Sequence, residues 1–305
     1  MYRGFQQRRR VGLAGLGIVL LTVTIPRAEA QGAGPGPPAM PPAQLVRLAV
    51  ANEVAAADNS SVKHMFLSRK QTPKGSQTRL YVETDDAMAA MLVADDDRPL
   101  TPQQEQGESN HLKWLMANPD QLRKKHAREK EDADRTLRIV KALPDAFRYQ
   151  YAGTANGAGP QLVRVDFMPN PSYSPPSREE QVLTGMRGYL LIDTVARRIA
   201  RIDGTLFKEV TFGWGIFGRL DKGGSFLVTQ ADLGDSSWDI TEMKLNITGR
   251  ILLFKSLSMV SDEVISDFRR VPDRLTFAQG VELLKTEQAK LAHAAALLEA
   301  KKAPQ

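Results

Sequence analysis

Apolar positions change their period along this chain, and the changes divide it into segments. From Ala43 onward Leu45, Leu48, Ala49 and Val54 recur at helical spacing and stop at Asp58-Asn59-Ser60, which predicts one leading amphipathic helix closed by a polar turn. Three extended runs follow, Lys63 to Arg69, Gln77 to Glu83 and Ala87 to Ala94, separated by Pro73-Lys74-Gly75 and Asp85-Asp86. That punctuation predicts an antiparallel meander. Between Thr101 and Leu143 the texture turns to charge, including Arg123-Lys124-Lys125 and Arg128-Glu129-Lys130-Glu131-Asp132. The segment reads as a helical hairpin broken near Asn118-Pro119. Its apolar positions, Leu122, Leu137, Val140 and Leu143, are too sparse for a core helix, so a partly detached helix over a sheet is expected.

Strands are expected again at Phe147 to Thr154 and Leu162 to Met168, before the proline-rich loop Pro169 to Pro176, which cannot be sheet interior. From Met186 to Leu257 extended runs recur about every ten residues. They are Gly188 to Asp193, Arg198 to Asp203, Leu206 to Phe212, Ser225 to Ala231, Trp238 to Ile247 and Arg250 to Leu257, punctuated by Gly204, Gly213, Gly218, Gly223-Gly224, Gly234 and Gly249. Such spacing without helical patterns predicts an antiparallel sheet wide enough to curl. A final helix is expected from Thr276 to Lys302, with Phe277, Val281, Leu284, Leu291 and Leu298 as its apolar stripe. The fold class read from this pattern is α+β: a large curved antiparallel sheet with covering helices and a charged helical insertion. One domain is expected over 43–275, followed by the helical 276–305.

The first thirty residues carry a different signal. Arg8-Arg9-Arg10 precedes an apolar run from Val11 to Ile25 and then Ala28-Glu29-Ala30. That order fits a secretory signal peptide cleaved after Ala30, its apolar run being short for a membrane span. Gln31 to Pro42 is Gly, Pro and Ala without periodicity and reads as a flexible tether. The leader also changes the charge argument. It holds five arginines against Glu29, or +4 of the chain's formal +6, so the remainder is only +2. A nucleic-acid partner is therefore not expected. With no cysteine, the chain has neither disulfides nor a site for N-terminal lipid attachment, and an exported, periplasmic, unanchored protein is the expectation.

Candidate chemistry thins out on inspection. Gly213-Trp214-Gly215-Ile216-Phe217-Gly218 is a formal G-x-G-x-x-G. A dinucleotide site needs its third glycine to open a helix, whereas Arg219 to Gly224 leads toward another strand. His64, His111, His126 and His293 lack partners at metal-binding spacing. Asp95-Asp96-Asp97 and the group Asp232, Asp235 and Asp239 lack the alternating ligands of a calcium loop and read as turns. No G-x-S-x-G elbow occurs, and thiol hydrolases are excluded. No catalytic residue, metal or cofactor is assigned, and an enzyme is not expected.

One paired-strand unit does carry a resemblance. Gly188-Tyr189-Leu190-Leu191-Ile192-Asp193 followed by Arg197-Arg198-Ile199-Ala200-Arg201-Ile202-Asp203 resembles the hairpin of periplasmic lipoprotein-carrier proteins of the LolA/LolB type, in outer-membrane lipoprotein sorting. The leading helix and curved sheet agree with that layout, while the insertion 101–143 and the C-terminal helix depart from it. The resemblance implies an open β-barrel whose apolar concave face holds acyl chains beneath covering helices. It implies the soluble member of such a pair, with lipid or an acylated protein as partner and transient membrane contact. Tyr189, Leu191, Ile199, Phe207, Phe212, Trp214, Phe217, Phe226, Trp238 and Phe254 are the candidate cavity residues, each also readable as plain core. Two other classes remain open. One is an envelope interaction module that uses the charged insertion to hold an envelope protein; the other, disfavoured, is an exported hydrolase with paired carboxylates.

Overall fold

A computed structural model describes residues 40–58, 62–154, 161–213, 217–234, 237–251 and 255–302. The expected signal segment and residues 31–39 of the tether lie outside these residues, and the tether's last residue, Pro42, already belongs to the first helix. Helix α1 (Pro42–Asp58) leads into β1 (Lys63–Thr72), β2 (Gly75–Val82), β3 (Ala89–Asp95) and the two-residue β4 (Arg98–Pro99). Helices α2 (Pro102–Ala117) and α3 (Pro119–Ala146) come next, then β5 (Phe147–Thr154), β6 (Leu162–Pro169), the short α4 (Arg178–Gln181) and a 3-10 turn over Val182–Gly185. The remainder is β7 (Met186–Asp193), β8 (Arg198–Leu206), β9 (Val210–Phe212), β10 (Gly218–Leu220), β11 (Ser225–Asp232), β12 (Trp238–Ile251), β13 (Lys255–Val271) and α5 (Phe277–Lys302). The protein is thus α+β, with one antiparallel sheet of 13 strands. Its hydrogen-bonded order is β4-β3-β2-β1-β13-β12-β11-β8-β7-β6-β5, with β9 and β10 attached beside β12. The edges β4 and β5 do not pair, so the sheet is not closed.

Local chemistry sets the helix boundaries. Thr101 caps α2 by accepting the Gln104 N–H while the Gln104 side chain accepts the Thr101 N–H at 2.9 Å, a reciprocal capping box. Thr276 and Gln279 repeat the device ahead of α5, at 3.3 and 2.8 Å. Pro119 separates α2 from α3, since it opens a helix readily but cannot continue one. In α3 no residue before Ala142 is buried, and the burial falls on Ala142, Leu143 and Ala146 in its last turns. Its length, about 42 Å at 1.5 Å per residue, lets it reach from Leu122, packed beside β2 and β3, to the start of β5.

Two apolar cores form because side chains alternate across a sheet. The first joins Leu45, Val46, Ala49 and Val50 of α1 to Val163, Val165, Leu190, Ile192, Ile199 and Leu206. The second joins Phe277, Val281 and Leu284 of α5 to Met65, Leu80, Val82, Ala89 and Met91. Register places them on opposite faces. Leu190 pairs with Ile202, Ile202 with Val228, Val228 with Met243 and Met243 with Glu263, and Glu263 lies beside Lys70 and Ser68. Ser68 alternates with Leu67, which belongs to the second core. Hence α1 covers one face at the β5–β8 end, and α5 covers the other at the β2–β3 end.

One close approach fixes a glycine pair. Gly188 of β7 faces Gly204 of β8, and a Cβ on Gly188 would stand 1.9 Å from the Asp203 carbonyl oxygen. On the other side Phe226 lies where a Cβ on Gly204 would be, its Cε1 2.2 Å away.

The extended region departs from expectation at its end. Leu206 to Phe212 yields only the three-residue β9, and the run Arg250 to Leu257 is divided between the end of β12 and the start of β13. Strand β13 continues to Val271, well past the expected limit, through a bulge at Asp267, whose φ is 57°. Both faces of this strand are half-exposed over much of its length, so its sequence, Lys255 to Val271, lacks the alternation that marks a half-buried strand. No helix among the described residues is long and apolar enough to cross a membrane.

Candidate functional site

The helices rest on β2, β3, β5 and β8 and leave β11, β12 and β13 without a helix laid across them. On the α1 side these strands carry Phe226, Val228, Met243, Leu245, Ile247, Leu257 and Met259. Phe226, Leu245 and Leu257 pack against the first core, so the apolar surface continues from beneath α1 onto bare sheet. Ser68, Lys70 and Glu263 interrupt it with a 2.6 Å hydrogen bond and a 3.1 Å ion pair. Beyond them lies a second apolar patch, where Phe66 stacks on Tyr81 at 5.2 Å and meets Phe268 at 5.3 Å.

The reverse of the same strands is polar. Glu242 lies between Lys244 at 2.9 Å and Arg201 at 3.9 Å, and Lys244 also reaches Asp262 at 3.4 Å. These cations hold the Glu242 carboxyl below its ordinary range, the Lys244 hydrogen bond being the main cause. Two open grooves run along this side. One of about 610 Å³ lies over Asp203, Leu227, Lys244, Asn246, Val260 and Asp262. The other, about 720 Å³, lies over Arg148, Arg164, Asp166, Met168, Arg187 and Tyr189.

The sequence-derived cavity residues are therefore divided. Ile199, Phe212 and Phe226 belong to the α1 face and its core. Tyr189 and Leu191 alternate with the buried Leu190 and point to the polar side, where the Arg164 guanidinium lies 4.1 Å above the Tyr189 ring. Phe207 lies between Arg187 and Lys208, at 5.9 and 5.7 Å. Phe217 is 49% exposed under Arg178, and Trp238 is half-buried 5.6 Å from Arg198. Trp214 and Phe254 lie outside the described residues. No described groove gathers the set, because aromatic identity alone does not say which face a residue takes. Gly218 opens strand β10, in keeping with the rejection of a dinucleotide turn. Asp96 accepts the Ser76 N–H at 2.9 Å and Asp97 pairs with Arg69, as turn residues do. Among the described residues no cluster of His, Asp or Glu could hold a metal ion.

Sequence reasoning missed one titratable cluster, at the ends of β1, β2 and β12. His64 is 4% exposed, with Nδ1 3.8 Å from Glu83 Oε2 and Nε2 3.5 Å from Ser237 Oγ. Burial raises the carboxyls of both Glu83 and Asp239, and the nearby Asp239 charge raises Glu83 further. The order Ser237, His64, Glu83 is that of nucleophile, base and acid. At 3.8 Å, however, the ring and carboxylate share no hydrogen bond, and Glu83 Oε2 instead accepts the His64 backbone N–H at 2.7 Å. A pH effect follows nonetheless. Carboxyls raised above their unfolded values are unfavourable ionised, so their penalty fades as pH falls through the raised values and is gone below the ordinary ones. Glu83→Gln is expected to be more stable than the parent at neutral pH, the gap closing toward about pH 5. Urea denaturation at both pH values checks this, and a gap that widens on acidification would contradict it.

Comparison with protein-family models, curated proteins and solved structures finds no match to the chain.

Proposed function

We propose that this protein is a non-enzymatic carrier or binding protein for lipid or lipoprotein acyl chains in the cell envelope, built as an open β-barrel of the LolA type. The observation that carries the reading is the apolar face of β11, β12 and β13, continuous with the α1 core and without a helix across it. A face of this kind, reached from water along a curved sheet, lowers the free energy of an acyl chain by about 0.8 kcal/mol per buried methylene. Helix α3 supports the reading too. Bare of buried residues before Ala142, its longer N-terminal part has little core to lose on moving. The leader sequence supports export, and the G-x-L-x-I-D hairpin supports the family.

Adjacent residues of β13 provide a matched test. Met259 on the apolar face and Val260 on the polar face are 39% and 38% exposed, so neither change should disturb folding. Met259→Asp is expected to weaken uptake of a fluorescent fatty-acid probe by about tenfold or more, since an unpaired charge would meet the chain. Val260→Asp is expected to bind as the parent does. Native mass spectrometry of the purified protein is expected to show co-purified acyl species. Absence of both probe uptake and bound lipid, or equal loss in the two variants, would overturn the reading.

A further inference from the structure

The tip of the α2–α3 hairpin concentrates charge that the rest of the chain lacks. Residues 111–130 hold six Lys or Arg against Asp120 and Glu129, a net +4, while the whole chain beyond residue 30 is +2. The two acids are already engaged. Asp120 pairs with Arg123, and Glu129 pairs with Lys125 and accepts the Met88 N–H at 3.0 Å. Lys113, Lys124 and Arg128 have no ion-pair partner among the described residues.

An aromatic sits among these cations. Trp114, 48% exposed, stacks on His111 at 6.1 Å and forms one wall of a groove of about 430 Å³ whose other wall carries Lys124 and Arg128 together with Glu129 and Asp132, which are paired with Lys125 and Arg135. Leu112 and Leu115 on the same helix are buried, so α2 keeps its apolar stripe in the protein while Lys113 and the Trp114 indole between them face outward. An indole beside lysines suits the headgroup layer of a bilayer, where its ring is half-desolvated and its N–H stays wet. It is poorly suited to nucleic acid, which would need a longer basic stripe and more stacking rings.

We infer that the hairpin tip around Trp114, Lys113, Lys124 and Arg128 is a docking surface for anionic phospholipid headgroups. The inference rests on the carrier reading: a protein that exchanges acyl chains must meet a bilayer, and the tip includes the part of α3 that buries no side chain. Basic residues near an anionic surface each contribute about 1 kcal/mol, weakened by salt.

The test is co-flotation of the purified full-length protein with vesicles of phosphatidylglycerol in phosphatidylcholine, against phosphatidylcholine alone. The protein is expected to float with the anionic vesicles and to be released by salt. Trp114 emission should shift to the blue, a signal that Trp114→Phe removes. A triple variant, Lys113→Gln, Lys124→Gln and Arg128→Gln, is expected to bind on the order of a hundredfold more weakly. Its far-ultraviolet dichroism and fatty-acid probe uptake should stay those of the parent. Equal flotation of the triple variant, equal binding to neutral vesicles, or binding to a polyanionic protein or nucleic acid but not to vesicles would overturn the inference. Flotation without probe uptake would sink the carrier reading while leaving the docking surface in place.

Discussion

Glu53→Ala is expected to cost about 3–5 kcal/mol of folding free energy, more than its place on an amphipathic helix suggests. The Glu53 carboxylate takes both Nε and Nη2 of Arg198, at 2.9 and 2.8 Å, and the Ile199 backbone N–H at 2.9 Å. Both side chains are nearly out of water, at 11% and 12% exposure, with Trp238 5.6 Å from the guanidinium. Alanine would leave a buried guanidinium and a strand N–H with no acceptor, each carrying its full desolvation cost. Because the pair ties α1 to β8 across 145 residues of chain, the loss should appear as looser packing of α1 as well. Urea denaturation checks the magnitude. A double change, Glu53→Leu with Arg198→Met, is expected to recover most of it, since no unpaired charge remains. A cost for Glu53→Ala below about 1 kcal/mol would show that water reaches the pair.

Gly188→Val is expected to destabilise by about 3 kcal/mol or to abolish folding, at the upper end of overpacking costs. The obstruction is backbone, not a movable side chain: the Asp203 carbonyl oxygen would lie 1.9 Å from the new Cβ and the Gly204 Cα 2.8 Å away. Relief would require parting β7 from β8 where Gly188 faces Gly204. Gly223→Ala makes a useful contrast. There a Cβ meets nothing within 4 Å, and the cost comes only from the backbone angle, φ 95°. Thermal melts of both variants check the ranking, and a Gly188→Val protein as stable as Gly223→Ala would refute the steric account.

These two positions also mark what a sequence can and cannot disclose. The glycine at 188 is visible in the G-x-L-x-I-D pattern, and the structure supplies its reason in the facing Gly204. The leading helix, the meander, the break at Asn118-Pro119 and the final helix are legible because local period and punctuation decide them. By contrast Glu53 looks like any solvent-facing glutamate, its partner lying in a strand with no sequence link to it. The length of β13 is hidden for a related reason: a strand that meets a helix only near its end, at Arg269 and Val271, is under little pressure to alternate. The apolar surface was legible as composition, yet its membership was not. Tyr189 and Leu191 are as apolar as Phe226 and Leu245, and only pairing through Asp203 and Gly204 sends them to opposite sides. The cluster of His64, Glu83, Asp239 and Ser237 left no trace, because its members come from strands that meet only when β1 pairs with β13.

Placing α1 and α5 on opposite faces at opposite ends also divides the molecule's tolerance for change. Among the described residues the two cores form separate clusters, joined through the central hydrogen-bonded ladder and the length of α3. Substitutions in one core should therefore add to those in the other with little epistasis, as distant sites do. Each end of such a sheet is free to drift in sequence at its own pace. The strands between them, which both ends need, are the part that must keep its shape.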